Sequence, residues 1–252
     1  MKRYVLPHLR AGDPFPPAER ALPAGSPAPG LLAVGGALDV ATLRAAYAGG
    51  IFPWYDQASG ERIMWWSTDP RMVLRPENFR LHRSLRRAIA RLRAAPECEV
   101  RVDTAFDAVM LECARIPRPG QHGTWIGADM RVAYGALHRA GSAHSVEVWR
   151  GGQLVAGLYC VALGRAVFGE SMFTHVTDGS RIALAALVAL CLAQGAPLID
   201  CQQNTAHLAF MGGCEIPRAQ FLREIHTLTQ QPDMHWRFDD ASWAALLPNL
   251  AG

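Results

Sequence analysis

Residues 182–192 are apolar at every position, with Ser180 as a candidate cap ahead of them and Gly195 and Pro197 as stop signals behind. A helix apolar on all sides has no face to offer water, and at this length it is packed inside a protein rather than across a membrane. It delivers the chain into residues 197–202. There Leu198 and Ile199 are apolar, and the run turns polar at Asp200, Cys201, Gln202, Gln203 and Asn204. A buried strand looks like this where it emerges into a cleft, and in sheets that mix helices and strands ligands bind beyond the carboxyl ends of strands. Asp200 equally suits a turn cap, a common place for Asp. Spacing alone leaves both readings standing.

Upstream, residues 1–30 are rich in Pro and Gly and read as an irregular lead. Residues 31–34 form a short apolar run, and Asp39 is placed to cap a helix that Gly49-Gly50 stops. Two aromatic clusters follow, Phe52 with Trp54 and Tyr55, then Trp65 with Trp66. Aromatics this dense usually fill a small core; a ligand-facing Trp is the alternative. Amphipathic spacing predicts helices over 81–92, 106–113 and 130–139, and again over 205–211 and 217–228. Alternation and the turn signals Gly151-Gly152 and Gly164 predict strands over 145–149, 154–161 and 166–168, with residues 169–173 closing a meander.

In the 81–92 helix, Leu85, Ile89 and Leu92 share one side, while Arg83, Arg87 and Arg91 share the other with Arg86 beside them. A solvated face normally interleaves acidic residues, and like charges at i, i+4 oppose the helix. From Arg71 to Arg101 the nine Arg and three Glu leave a local excess of +6 in a chain whose formal charge is +3. Such a stripe favours a polyanion partner over a merely solvated face. Abundant Arg as such says little, because Lys2 is the only lysine and the bias is uniform. The six cysteines are scattered without a C-x-x-C pair, so no zinc site or disulfide framework is expected. No window of about 18 consecutive apolar residues and no secretory-type leader is present, and a cytoplasmic, soluble protein is the expectation.

The common nucleotide and hydrolase motifs are missing: no phosphate loop ending in Gly-Lys, no G-x-G-x-x-G after a strand, no G-x-S-x-G elbow. Three strands, a buried helix and a fourth strand resemble the core of acetyltransferases. Yet the Gly-rich loop that would hold coenzyme A is absent, since Asp178-Gly179-Ser180 has one Gly. The expected fold class is α+β, with a small N-terminal domain (residues 1–70) before an acetyltransferase-like (GNAT-type) mixed-sheet domain (71–252).

An acyl donor other than a thioester fits, and the ordered motifs carry a specific resemblance. They are Gly35-Gly36, Gly50-Ile51-Phe52-Pro53-Trp54, Trp65-Trp66-Ser67 with Asp69-Pro70-Arg71, and Gly123-Thr124-Trp125-Ile126. Next come Ser145-Val146-Glu147-Val148-Trp149, Gly169-Glu170-Ser171-Met172-Phe173, Ile199-Asp200-Cys201-Gln202 and Gly213-Cys214-Glu215-Ile216-Pro217. Over nearly its full length the chain resembles the leucyl/phenylalanyl-tRNA-protein transferases.

That resemblance implies an aminoacyl-tRNA donor carrying Leu, Phe or Met and an acceptor protein that begins with Arg or Lys, which transfer marks for degradation. It implies that no ATP, cofactor or metal is required, because the ester of aminoacyl-tRNA is already activated; a monomer without a membrane partner is expected. It assigns Asp200, Gln202 and Glu170 to the chemistry. An α-amino group has an ordinary pKa of about 7.7 to 8.0 and must lose a proton before it attacks. Asp200 could orient that amine and pass a proton through Gln202, although an ordinary Asp is a weak base. Glu170 matches a residue near the terminal adenosine, with a salt bridge under the sheet as its structural alternative. Leu158, Met172 and Ile199 are implied around an apolar pocket, Trp54 and Trp125 at the tRNA end, and Arg83, Arg86 and Arg87 on the acceptor stem. Phe210-Met211 departs from the usual Ser-Leu, and Ala90 stands where a further basic residue is expected, with Arg91 as a substitute. The rival classes are a peptidoglycan-type aminoacyl-tRNA-dependent transferase and a non-catalytic tRNA-binding module.

Overall fold

The computed structural model describes residues 4–57, 60–116 and 126–247. A small sheet in the order β1-β2-β4-β3 is formed by β1 (His8–Leu9), β2 (Leu31–Gly35), β3 (Phe52–Pro53) and β4 (Met64–Trp66). Helix α1 (Val40–Ala48) lies between β2 and β3. As the spacing predicts, Asp39 caps it, accepting from the Thr42 amide at 2.8 Å.

The seven-stranded sheet runs β11-β5-β10-β9-β8-β7-β6. Its strands are β5 (Arg71–Leu74), β6 (Cys98–Val102), β7 (Ala143–Arg150), β8 (Gln153–Leu163), β9 (Ala166–Thr174), β10 (Leu198–Gln202) and β11 (Cys214–Ile216). Every neighbouring pair is antiparallel except β9 and β10, whose parallel pairing requires a crossover. The all-apolar helix, α5 (Gly179–Gln194), is that crossover. With α2 (Arg83–Ala94) it covers one face of the sheet, packing on Leu158, Val167 and Ile199. The other face carries Tyr159, Phe168 and Phe173. It is covered by α1, α3 (Phe106–Arg115), α4 (Ala128–Arg139) and α7 (Arg218–Leu228), in one apolar cluster with Phe52 and Trp65 of the small sheet. The remaining helix, α6 (Ala206–Phe210), follows β10. Among the described residues no helix is long and apolar enough to cross a membrane.

Several elements differ from the expectations. Helix α5 begins at Gly179 behind Asp178, whose side chain makes no capping bond, so Ser180 lies inside the helix. Strands β5 and β6 were not predicted: Arg71 and the charged positions Glu99 and Arg101 hide them in a region that reads as basic. The two aromatic clusters supply strands as well as core. The motif around Glu147 is architectural. Glu147 is fully buried and accepts from the Thr104 and Ala105 amides at 2.9 and 2.8 Å, from Ser145 Oγ at 2.8 Å and from Trp149 Nε1 at 2.9 Å. A buried carboxylate is tolerated only when satisfied in this way. Here its charge also lies against the start of α3, where it favours the helix dipole.

Gly50 binds the small sheet to the last helix. Its φ is +69°, and a Cβ there would lie 2.4 Å from Leu222 Cδ2 and 3.1 Å from Phe221 Cε1. Gly50→Ala is expected to lower the unfolding free energy in urea by about 1 to 3 kcal/mol, through left-handed strain and overpacking together.

Candidate active site

Strands β9 and β10 run side by side from Leu198↔Ala166 to Asp200↔Phe168, where their pairing ends. Both strands are irregular at this point. In β9 the register slips so that Gly169 faces Cys160 and Ser171 faces Tyr159, leaving Glu170 as the extra residue. In β10 it slips between Asp200 and Gln202 against β5. A bulge bends its strand and re-aims a side chain. The two bulges aim Glu170 and Gln202 at each other across the parting strands, and Gln202 Nε2 donates to Glu170 Oε1 at 2.8 Å.

Asp200 is fully buried, and so is its partner Arg71. Arg71 Nε donates to Oδ1 at 2.8 Å and Nη2 to Oδ2 at 2.6 Å, a two-pronged pair held between the faces of Phe52 (4.7 Å) and Phe221 (4.5 Å). Oδ1 also accepts from the Gln202 amide at 2.9 Å. That bond holds Gln202 at φ 61°, a left-handed conformation rare for a side chain of this kind. Thr68 Oγ1 adds a bond to the Gln202 carbonyl at 3.0 Å. The charge of Asp200 is thus met by Arg71, and its visible action is on the backbone that carries Gln202. Between them, burial pushes the Cys201 thiol well above its ordinary range, which keeps it from acting as a thiolate.

Glu170 is the hub. Its Oε1 accepts from Tyr47 Oη at 2.7 Å, its Oε2 lies 3.3 Å from Tyr134 Oη, and the two tyrosine hydroxyls bond to each other. Burial pushes the Glu170 carboxyl up to about 8. The Asp200 charge adds to the rise, while Tyr47, Tyr134 and Arg71 oppose it. The carboxyl is therefore largely protonated at neutral pH, and burial raises both tyrosines too. The result is a chain of neutral donors and acceptors from Tyr134 and Tyr47 through Glu170 to Gln202, with a titration near the range where an α-amine loses its proton.

Leu158 and Met172 are cross-strand partners, and they share an apolar cluster with Ile199 on the α5 face. Leu158 and Ile199 are almost closed to solvent, at 3% and 1% exposure, and Met172 is the partly open member. Tyr47, Tyr134, Arg71 and Phe52 belong to the opposite face. Trp54 is half-buried in the small sheet, edge-on to Trp66 at 5.6 Å and accepting from its indole N–H at 2.7 Å. Trp125 lies outside the described residues. Arg83, Arg86 and Arg87 are exposed on α2, and none has a carboxylate partner among the described residues. Arg93, also on α2, pairs with Asp240 at 2.7 Å. Sequence reasoning missed Arg71, Tyr47 and Tyr134. Arg71 stood in a quoted motif as Asp69-Pro70-Arg71, but an Arg at a strand start carries no sign that it will be buried.

Comparison with known proteins covers nearly the whole chain. Residues 73–226 match the family model described as leucyl/phenylalanyl-tRNA protein transferase, and residues 36–69 match that of its N-terminal domain. The leucyl/phenylalanyl-tRNA-protein transferase of Polaromonas sp. strain JS666 is 55% identical over 242 residues, covering 96% of this chain and 94% of the relative. Those of Albidiferax ferrireducens (54% over 242 residues, 96% and 94%) and Ralstonia pickettii (55% over 240 residues, 95% and 94%) are alike. A mixed α/β fold with this full-length similarity defines an enzyme, an aminoacyltransferase. The chain belongs to the leucyl/phenylalanyl-tRNA protein transferase family.

Proposed function

We propose that the chain transfers Leu, Phe or Met from aminoacyl-tRNA to proteins that begin with Arg or Lys, acting as a cytoplasmic monomer and marking its acceptors for degradation. The observation that carries this reading is the Glu170–Gln202 bridge across the parting ends of β9 and β10, in a chain similar to transferases of that name over 96% of its length. The parting of two parallel strands in an otherwise antiparallel sheet, bridged by a buried crossover helix, supports an acetyltransferase-like (GNAT-type) domain over residues 71–252 behind a small domain over 1–70.

In this reading the acceptor amine attacks the ester carbonyl, an amide bond forms, and the C–O bond to the terminal ribose breaks. The leaving hydroxyl takes a proton and the amine gives one up. Gln202 presents an amide to the developing oxyanion or to the amine. Glu170, protonated at neutral pH, gives its proton to the leaving ribose hydroxyl and is reprotonated by the one the amine releases, or holds the terminal ribose. Asp200, neutralised by Arg71, positions Gln202. Met172 forms the adjustable wall of the acyl pocket, backed by Leu158 and Ile199, and Trp54 and Trp125 hold the terminal adenosine. The decisive experiment mixes the protein with leucyl-tRNA and an Arg-initiated peptide and looks by mass for one added Leu. Transfer to a muropeptide alone, or binding of tRNA without transfer, would overturn the reading in favour of a cell-wall enzyme or a binding module.

Arg83, Arg86 and Arg87 are the acceptor-stem contacts in this reading. Each phosphate neutralised contributes about −0.7 to −0.9 to the slope of log affinity against log salt. Replacing all three by Ala should flatten the slope measured by tRNA titration by roughly two units and leave amino-acid choice unchanged. An unchanged slope would reduce the stripe to a solvated face. For the pocket, Met172→Ile replaces a flexible side chain by a branched, stiff one beside Leu158. Competition assays should show Phe transfer falling more than Leu transfer.

A further inference from the structure

Phe210 is the one exposed aromatic side chain among the described residues, with 49% of its surface open. A lone exposed apolar side chain is ordinary; its neighbours make this one different. The His82 ring stacks on it at 4.0 Å and 14°, and a His82 ring nitrogen lies 3.1 Å from the Phe210 carbonyl oxygen. Arg181, from the first turn of α5, stands 6.0 Å from the ring centroid. It keeps 39% of its side chain exposed while making one ion pair, with Asp178 at 3.0 Å. The stack is anchored rather than adventitious, because the adjoining Met211 is fully buried and its carbonyl accepts from the Arg80 amide at 2.9 Å.

The location matters as much as the chemistry. His82 immediately precedes Arg83, the first residue of the unpaired basic stripe, and α6 starts four residues after Gln202. A strand of RNA held on α2 with its end at Gln202 must pass α6. Its open surface offers an aromatic ring flanked by the Arg181 guanidinium, which suits a nucleobase with its phosphate better than an apolar peptide.

We propose that Phe210, stacked on His82 and flanked by Arg181, is a platform on which an unpaired nucleotide near the 3′ end of the donor RNA stacks between the α2 stripe and the active site. The proposal rests on the reading of an aminoacyl-tRNA donor. Stacking of one base on an aromatic side chain corresponds to about 5- to 150-fold in affinity.

The test is a fluorescence titration of leucine tRNA, intact and trimmed of its unpaired 3′ nucleotides, against the wild type and Phe210→Ala, Phe210→Leu and Phe210→Trp. The expected result is that Phe210→Ala weakens the intact RNA about tenfold or more and leaves the trimmed RNA within twofold. Phe210→Trp should retain affinity, whereas Phe210→Leu, apolar but without a π-face, should behave like Phe210→Ala. Equal effects on both RNAs, no effect on either, or full retention by Phe210→Leu would overturn the platform. These outcomes are read only beside a wild type that binds the RNA and transfers Leu. A wild type that does neither overturns the donor reading itself.

Discussion

Asp200→Ala is expected to reduce aminoacyl transfer by at least about a hundredfold, to lower the unfolding free energy by about 3 to 5 kcal/mol, and to leave tRNA affinity nearly intact. The stability loss follows from Arg71, which would keep a fully buried guanidinium with no counter-charge; breaking a buried pair on one side is far more damaging than replacing both partners. The loss of transfer follows from Gln202. Its amide loses the carboxylate that holds it at φ 61°, and a displacement of about 1 Å in a reacting group is enough for a hundredfold. The double variant Arg71→Met/Asp200→Leu separates the two effects. It should recover most of the stability, measured by urea unfolding, because an apolar pair fits between Phe52 and Phe221, and should remain inactive. Near-normal turnover in the double variant would mean that neither Asp200 nor the posture it imposes on Gln202 matters to the reaction.

Glu170→Gln should change how both activity and stability respond to pH. Because the folded-state pKa is raised from an ordinary 4.5 to about 8, the native protein holds a proton that the unfolded chain releases between those values. Stability of the wild type from this source is therefore complete below about pH 4.5 and declines as pH rises through the window. In mid-window the slope approaches one proton, about 1.4 kcal/mol per pH unit. Glutamine cannot titrate, so the variant should gain on the wild type steadily from pH 5 to 8 in thermal or urea unfolding. Wild-type kcat/KM should carry an inflection near 8 beyond that of the substrate amine, and the variant should lose it. A stability difference independent of pH would show that Glu170 is already ionised in the native state.

The elements with a strong local code were legible. The all-apolar run of α5 dictates burial whatever surrounds it, and the period of α2 separates Leu85 and Ile89 from the Arg stripe without reference to any neighbour. The meander β7 to β9 was legible from alternation and from Gly151-Gly152 and Gly164. Strands β5 and β6 were not, because their pairing partners lie far away in sequence: β5 sits between β10 and β11, and short segments with Arg or Glu have no period strong enough to declare themselves.

The same division runs through the candidate site. Asp200 and Gln202 could be singled out from the polar end of an apolar strand and Glu170 from the family motif that holds it, since those are properties of contiguous residues. The partners could not. Arg71 is 129 residues from Asp200, Tyr47 is 123 from Glu170, and Tyr134 reaches the same carboxyl from a second helix.

Sequence by itself determined the buried helix, the basic stripe, the family motifs and the residues that end beneath them, because each depends on chemistry carried within a few positions of the chain. Tertiary structure alone decided that Arg71 meets the charge of Asp200, that Gln202 is bent into a left-handed posture to meet Glu170, and that burial raises the Glu170 carboxyl. Charge state depends on which distant groups share a low-dielectric space with a residue, and only the folded chain brings those groups together.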